Sequence, residues 1–332
     1  MMILVDAMGG DNAPKAIVEG CVQAMAVRED ISVTLIGDRK QIENVLLNQE
    51  YDKSRLWIKH TTEVISNCDV PTKAISRKKD SSMVVGFQML KNKEGNAFIS
   101  AGSSGALLIG SVSIVRRLRG VDRPALGSVF PTKRGPALLL DSGLNLSCRP
   151  DYYLQFAKMG AAYMRSAFNV ENPRIGLVNV GSEDEKGTDT LRDANRLLRE
   201  SGLNYVGNIE GKDLFEGITD IVVTDGFTGN VILKLIEGAS HFFFGKIKTV
   251  FLKDWRSKLG AAFLKKGVKE FKKTLDPDIN GGAPILGVDG LVIKSHGSSS
   301  ARTIKYVVLK AAALVDSSFL SDIKLELNKQ KK

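Results

Sequence analysis

The chain has 332 residues, 43% of them hydrophobic and 25% charged, an ordinary globular composition long enough for one large α/β unit or about two domain-equivalents. It has no apolar run near the roughly 18 residues of a spanning helix, and Asp6 falls where a secretory signal would continue its apolar stretch, so a cytoplasmic protein is expected. Cys21, Cys68 and Cys148 are too few and too scattered for a disulfide framework or a zinc site, and the net charge of +10 calls for a look at where the charge lies before nucleic acid is considered.

Several short apolar runs are each followed by small polar or acidic residues and then by helix-forming sequence, which is the order of βα units. Residues 2–5 lead into Asp6-Ala-Met-Gly-Gly-Asp-Asn-Ala-Pro14, with Pro14 suited to a helix start. Residues 31–36 end at Gly37-Asp38. Residues 97–99 lead into Ser100-Ala-Gly-Ser-Ser-Gly105, and 137–140 into Asp141-Ser-Gly143. Residues 175–178 are followed by Asn179-Val-Gly-Ser182, 221–223 by Thr224-Asp-Gly-Phe-Thr-Gly229, and 291–293 by Lys294-Ser-His-Gly-Ser-Ser-Ser300. In a mostly parallel sheet these loops leave at the carboxyl edge, where α/β enzymes bind their ligands. Asp6, Ser100, Asp141, Asn179, Asp225 and His296 are therefore expected to converge.

The glycine-rich loops Gly102-Ser-Ser-Gly105 and Gly297-Ser-Ser-Ser300 expose backbone N–H groups and hydroxyls, which suits phosphate. Capped helix starts without a ligand are the plainer alternative for both. Neither loop reproduces the dinucleotide fingerprint or the P-loop. Lys186 sits among Glu183, Asp184 and Glu185, either aimed at a cleft or solvated in a charge cluster. His296 follows a strand and is a candidate site residue, with a structural hydrogen-bonding role as the alternative. Asp225 and Asn230 bracket the Gly226 to Gly229 turn, with capping of the next helix as the alternative, and for Asp6 and Asp11 around Gly9 and Gly10 turn formation is the alternative. Nothing fixes a metal-ligand set, and Cys68 and Cys148 have no neighbouring histidine that would make either a nucleophile.

Between Lys246 and Lys273 ten basic residues stand against Asp254 and Glu270, a local net of +8 that leaves only +2 for the other 304 residues. A single concentrated patch points to one acidic surface, such as anionic lipid or an acidic protein, and away from nucleic acid. Phe244, Ile247, Phe251, Trp255, Leu259 and Ala262 form one apolar stripe; Leu264, Val268, Phe271 and Leu275 form another on a different face. The pattern predicts a helical pair over 240–276 with a break near 260–265. Its apolar tip, Leu259, Ala262, Phe263 and Leu264, is framed by Lys258, Lys265 and Lys266, which suits an interfacial membrane contact; core packing or a dimer contact is the alternative.

Val5-Asp-Ala-Met-Gly-Gly-Asp-Asn-Ala-Pro14, Arg77-Lys-Lys-Asp-Ser-Ser-Met83, the Ser100 loop through Ala106, Asp122-Arg-Pro-Ala125, Asn179-Val-Gly181, Thr224-Asp-Gly-Phe-Thr-Gly-Asn-Val231 and His296-Gly-Ser-Ser299 follow one another in the order and spacing of a known family. Over about residues 2 to 325 the chain resembles the PlsX phosphate acyltransferases. The resemblance implies an α/β/α layered fold similar to the isocitrate and isopropylmalate dehydrogenase superfamily, one catalytic unit over 1–330, and a homodimer. It implies transfer of a long acyl chain from acyl carrier protein to inorganic phosphate, without metal or organic cofactor. The acyl phosphate would pass to a membrane-bound glycerol-3-phosphate acyltransferase, for phospholipid synthesis, from an enzyme peripherally attached to an anionic membrane. Lys186, His296, Asn230 and Asp225 are the expected catalytic residues. Asp6, Gly9, Gly10, Asp11, Gly102, Ser103, Ser104, Gly105, Asn179, Gly297, Ser298 and Ser299 are expected to bind phosphate or substrate. Two departures stand out: Ser103-Ser104 replaces the usual Asn-Thr, and Leu144 stands where Ala is usual before Asn145. A phosphotransacetylase-like acyltransferase, a nucleotide-dependent dehydrogenase of the same fold and a non-enzymatic basic adaptor are the rival readings.

Overall fold

A computed structural model describes residues 1–274 and 281–328. The chain builds two sheets. The first has seven strands in the order β3-β2-β1-β4-β12-β11-β5. These are β1 (Met2–Asp6), β2 (Ser32–Gly37), β3 (Leu56–His60), β4 (Ala97–Ser100), β5 (Ala125–Leu126), β11 (Ala283–Leu286) and β12 (Leu291–Lys294). All its pairings are parallel except those of β11 with β12 and with β5. The second sheet has the order β6-β7-β10-β8-β9, from β6 (Ser128–Thr132), β7 (Gly135–Leu140), β8 (Ile175–Val178), β9 (Tyr205–Ile209) and β10 (Ile221–Val223). Only β6 runs antiparallel to its neighbour. The expected mostly parallel character holds, but in two sheets: the chain leaves the first at β5 and enters the second at β6, with only Gly127 between them.

Parallel strands need helical crossovers, and both faces of such strands are covered. Along β1, Ile3 and Val5 enter the main core while Leu4 enters a second one on the opposite face, all three fully buried. Helices α1 (Lys15–Met25), α2 (Arg39–Leu46) and α10 (Ala301–Asp316) lie on the main-core side. Helices α3 (Pro71–Arg77), α4 (Ser82–Lys91) and α5 (Ser104–Gly110) cover the other face, where Phe87 meets Phe98 edge-on at 4.9 Å. Against the second sheet lie α6 (Pro150–Phe168) and α7 (Asp189–Arg199), and α11 (Phe319–Asn328) packs on α6. The main core runs through α6 and α10 from one sheet to the other.

The helical pair differs from its prediction. Helix α8 (Gly226–Leu252) starts directly after β10, and Ile232, Leu233 and Ile236 on its first half pack against the second sheet. The break falls at 253–254 rather than near 260–265, because Asp254 accepts the Ser257 N–H at 2.8 Å and caps the start of α9 (Trp255–Thr274). Gly260 is tolerated inside α9, so the expected apolar tip is a helix surface and not a loop. Leu259, Phe263 and Leu264 are exposed on it, Phe263 to 89%. The side chains of Ala262, Lys265, Lys266, Val268 and Phe271, and the whole of Leu275, lie outside the described ones. Among the described residues no helix is long and apolar enough to cross a membrane.

Candidate active site

Three loops at the carboxyl ends of β1, β4 and β12 are tied into one knot. Asp6 is fully buried at the end of β1; it accepts the Ser100 hydroxyl at 2.6 Å and the Met8 N–H at 3.2 Å. Burial pushes its carboxyl above the usual range, opposed by the hydroxyls of Ser100 and Ser82. Asp6 is thus a strut between loops. Glycine is required at position 9, since a Cβ there would stand 2.6 Å from Asp6 Oδ2 and 2.7 Å from the Gly102 nitrogen. Gly10 has φ +101° and lies against the Gly297 carbonyl, which also accepts the Asp11 N–H at 2.7 Å. Asn12 donates its side-chain amide to the carbonyls of Ser298 and Ser299 at 3.1 and 3.2 Å. Gly102 donates to Ser100 Oγ at 3.1 Å, and Ser103 caps α5 by accepting the Ala106 N–H at 3.5 Å.

Within the third loop the two serines have different tasks. Ser299 is buried, and its hydroxyl is committed to the His296 carbonyl at 2.6 Å and to Ser295 Oγ at 2.8 Å. Ser298 is exposed, with Oγ 2.8 Å from His296 Nδ1 and its N–H donated to the same nitrogen at 3.2 Å. In the neutral ring that N–H contact leaves the proton on Nε2. Nε2 faces Lys234 Nζ at 3.4 Å. Two donors meeting at this distance leave both able to bond a common anionic oxygen. Lys234 is also paired with Glu237 at 2.7 Å, and the adjoining Lys294 ammonium is held below its ordinary pKa, mainly by burial and further by the Lys234 charge. Lys234 comes from α8, on the second sheet's side, so this contact joins the two halves.

The other expected residues belong to the second sheet. Asp141, at the end of β7, is fully buried and accepts N–H groups from Leu126 at 2.9 Å, Gly143 at 3.2 Å and Asn145 at 2.7 Å. Burial pushes its carboxyl above the usual range, opposed by the Leu126, Asn145 and Leu144 donors. The 141–145 loop packs on the first turn of α8, where the Gly226 N–H donates to the Asn145 carbonyl at 2.7 Å. Asp225 is the N-cap of α8, accepting Thr228 N–H at 2.8 Å and its hydroxyl at 2.9 Å. Asn230 is exposed and adjoins Gly143. Asn179 braces its own loop, accepting the Val180 N–H at 2.8 Å and donating to the Lys186 carbonyl at 3.1 Å. Lys186 is half exposed and paired with Glu183 at 3.8 Å. Cys148 lies near Asp141 and Asp225; burial, then those charges, push its thiol up to about 12, unsuited to a nucleophile.

Asp6, Gly9, Gly10, Asp11, Gly102, Gly297, Ser298 and Ser299 are therefore brought together, while Asp225, Asn179 and Lys186 make their bonds on their own loops. Sequence reading overlooked Lys234 and Asn12. Lys234 was within reach of inference, since it stands one helical turn after Asn230 and so on the same helix face.

Strand-end loops of two mostly parallel sheets, meeting at Lys234 and His296 with hydroxyls, N–H groups and an ammonium ion at the seam, are the arrangement of an α/β enzyme whose site offers donors to an anion. The comparisons with known proteins agree. A family model described as "Fatty acid synthesis protein" matches residues 1–322. The phosphate acyltransferase of Acetivibrio thermocellus is 53% identical over 326 residues, covering 98% of this chain and 96% of the relative. A phosphotransacetylase structure from Streptococcus pyogenes aligns with TM-score 0.63 at 14% identity, covering 95% of this chain and 94% of its own. A putative 4-hydroxythreonine-4-phosphate dehydrogenase from Salmonella typhimurium aligns with TM-score 0.52 at 12% identity, covering 95% and 99%. These two show a shared fold. The chain belongs to the PlsX family of phosphate acyltransferases. It is an enzyme of the transferase class.

Proposed function

We propose that the enzyme transfers a long acyl chain from acyl carrier protein to inorganic phosphate, giving an acyl phosphate for phosphatidic acid synthesis. The observation that carries this reading is the contact of Lys234 and His296 between the two halves, beside the exposed Ser298 and the Gly102 and Gly297 loops. Phosphate is already an anion near neutral pH, so its attack on a thioester needs positioning and charge compensation more than a protein nucleophile. A phosphate oxygen forms the new bond to the acyl carbon, the carbon–sulfur bond breaks, and the proton of hydrogen phosphate ends on the departing thiol. Ser104, Ser298 and the loop N–H groups would hold the phosphate, with Lys234 compensating its charge and His296 donating its Nε2–H. Lys186 and Asn230 would stabilise the thioester oxyanion or the departing thiolate, and Asp225 would fix the helix start that presents Asn230.

The same reading places the enzyme in the cytoplasm as a homodimer. The exposed apolar and basic surface of α9 would rest on anionic lipid, close to the membrane-bound acyltransferase that consumes the product. A donor carried on a small soluble thiol, as in a phosphotransacetylase, is the second reading, supported by the shared fold. Incubation with acyl carrier protein thioester and phosphate, following release of the carrier thiol, tests the proposal. Phosphate-dependent release is expected; a folded enzyme that releases none, or that accepts only the small thiol's ester, overturns it.

A further inference from the structure

A cavity of about 470 Å³ opens beside the 141–145 loop, lined by Arg117, Arg123 and Arg149 together with Val112, Asp122 and Tyr152. None of the three arginines belongs to the site described above; Arg117 and Arg123 come from the segment after α5 and Arg149 from the start of α6. Arg117 is held by a bridge to Val288 and donates to the Asp122 carbonyl. Arg123 lies between Asp122, which is bonded to the Gln155 side chain at 2.9 Å through both its N–H and its carboxylate, and Pro124, whose carbonyl accepts from Asn145 at 2.8 Å. Arg149 precedes the first residue of α6 and lies over the Tyr152 ring at 4.7 Å.

The charge in this cavity is not cancelled. Arg149 is paired with Asp151 at 2.8 Å and reaches Asp122 at 3.8 Å. Arg117 has only a carbonyl partner, and Arg123 has no hydrogen bond or ion pair among the described residues. Two guanidinium groups thus remain with open donor forks, and the positive end of the 19-residue helix α6 adds to them. Planar forks of this kind match phosphate oxygens in pairs.

We infer that this cavity binds an ester phosphate of the acyl donor: the phosphodiester at the root of the carrier protein's acyl-bearing arm. The inference rests on the donor proposed above. The cavity is linked to the candidate site through the 141–145 loop, which holds the lining residue Pro124 through Asn145 and seats the first turn of α8 beside Asn230. An arm anchored at the arginines would run past this loop toward His296 and Lys234, while the inorganic phosphate is held at the hydroxyl loops beyond it.

The test compares binding of the full-length enzyme to acyl carrier protein with and without its phosphorylated arm, in parallel with turnover. The wild type is expected to bind the armed form about tenfold or more tightly, the scale of one or two charge-assisted hydrogen bonds. Arg117→Gln with Arg123→Gln should erase that difference and raise the half-saturating acyl donor concentration about tenfold. Arg123→Lys should restore part of the loss. Half-saturating phosphate should move by less than about twofold, the scale of a contact not made. A rise for phosphate instead would assign the cavity to the acceptor. Equal loss for both carrier forms would assign the arginines to the carrier's acidic surface, and wild-type values throughout would remove the cavity from donor binding; each result overturns the inference. The arginines are exposed, so folding should survive, and a thermal melt checks it. If the wild type shows no phosphate-dependent thiol release, the proposed reaction fails, while the comparison of carrier forms still tests the cavity.

Discussion

At the scale of single residues, the seam between the halves rests on few side chains. Lys234 approaches His296 from the opposite side, and Lys294 raises the local positive charge from beneath. Lys234→Met should therefore raise the phosphate concentration needed for half-maximal rate by about tenfold, as expected for loss of one charge-assisted bond to the anion. Lys186 makes a sharper contrast. It pairs with Glu183 and is half exposed, so a catalytic role requires it to turn into the site with substrate bound. If it does, Lys186→Ala should lower kcat on the order of 10²–10³ with the melting temperature unchanged. Steady-state rates with each substrate varied in turn separate the two effects, and a Lys186→Ala enzyme of near-normal kcat would return this lysine to its surface ion pair.

Whole elements are positioned by contacts that leave little room. The first turn of α8 lies so close to the 141–145 loop that a Cβ at Gly229 would collide with the Asp141 carbonyl oxygen, and one at Gly226 would stand 2.7 Å from the Asn145 nitrogen. Gly229→Ala must displace either the helix start or the loop, and should cost at least about 1–3 kcal/mol in denaturant unfolding as well as activity. In α10, Lys310 donates to the Gly282 carbonyl at 2.7 Å, and burial depresses its ammonium to about 8. Its folded pKa lies below the unfolded value near 10.5, so between those values the unfolded chain binds more protons and stability rises with pH. Below about pH 8 the full cost of the buried charge is present. Lys310→Met should flatten the rise between pH 8 and 10.5, seen as a smaller gain in melting temperature than the wild type shows. An identical pH profile in both proteins would mean that the ammonium is not desolvated.

For the whole molecule, the question is what covers α8 and α9. Phe227, Val231, Leu235, Phe242 and Phe243 on α8 are exposed, as are Trp255, Leu259, Phe263 and Leu264 on α9. Such extended apolar surface marks an interaction site. A second subunit over α8 and a lipid surface under α9 fit the proposed homodimer and membrane attachment. Phe263→Glu with Leu264→Glu should then abolish binding to anionic vesicles while transfer in solution continues at a near-normal rate. Wild-type binding should weaken as salt rises, since each nearby lysine contributes about 1 kcal/mol and is screened. A double mutant that becomes monomeric in sedimentation would make this surface a subunit contact.

Much of the architecture was legible because the strands are buried on both faces and so read as short uninterrupted apolar runs. Residues 175–178 and 221–223 form strands with the bounds expected from sequence. Strands β3, β5, β6, β9 and β11 escaped notice: β3 has exposed positions at Trp57 and the charged Lys59, and β5 is only two residues long. The convergence of glycine-rich loops was also readable, since strand ends of parallel sheets share an edge. What sequence could not supply was how the strands divide between two sheets, which side chains the loops use up, and where the helical pair turns. Ser299 and Asp6 look like ligands in the sequence, yet they are spent holding loops together, because a buried polar group must find its partner inside the protein. Lys234 and the three arginines, distributed along the chain, are gathered into the two proposed anion sites only when packing brings α8 to β12 and the N-terminus of α6 to the segment after α5. Local sequence determined the elements and the chemistry at their ends; the pairing of distant elements, which depends on long-range burial, decided which of those groups face a substrate.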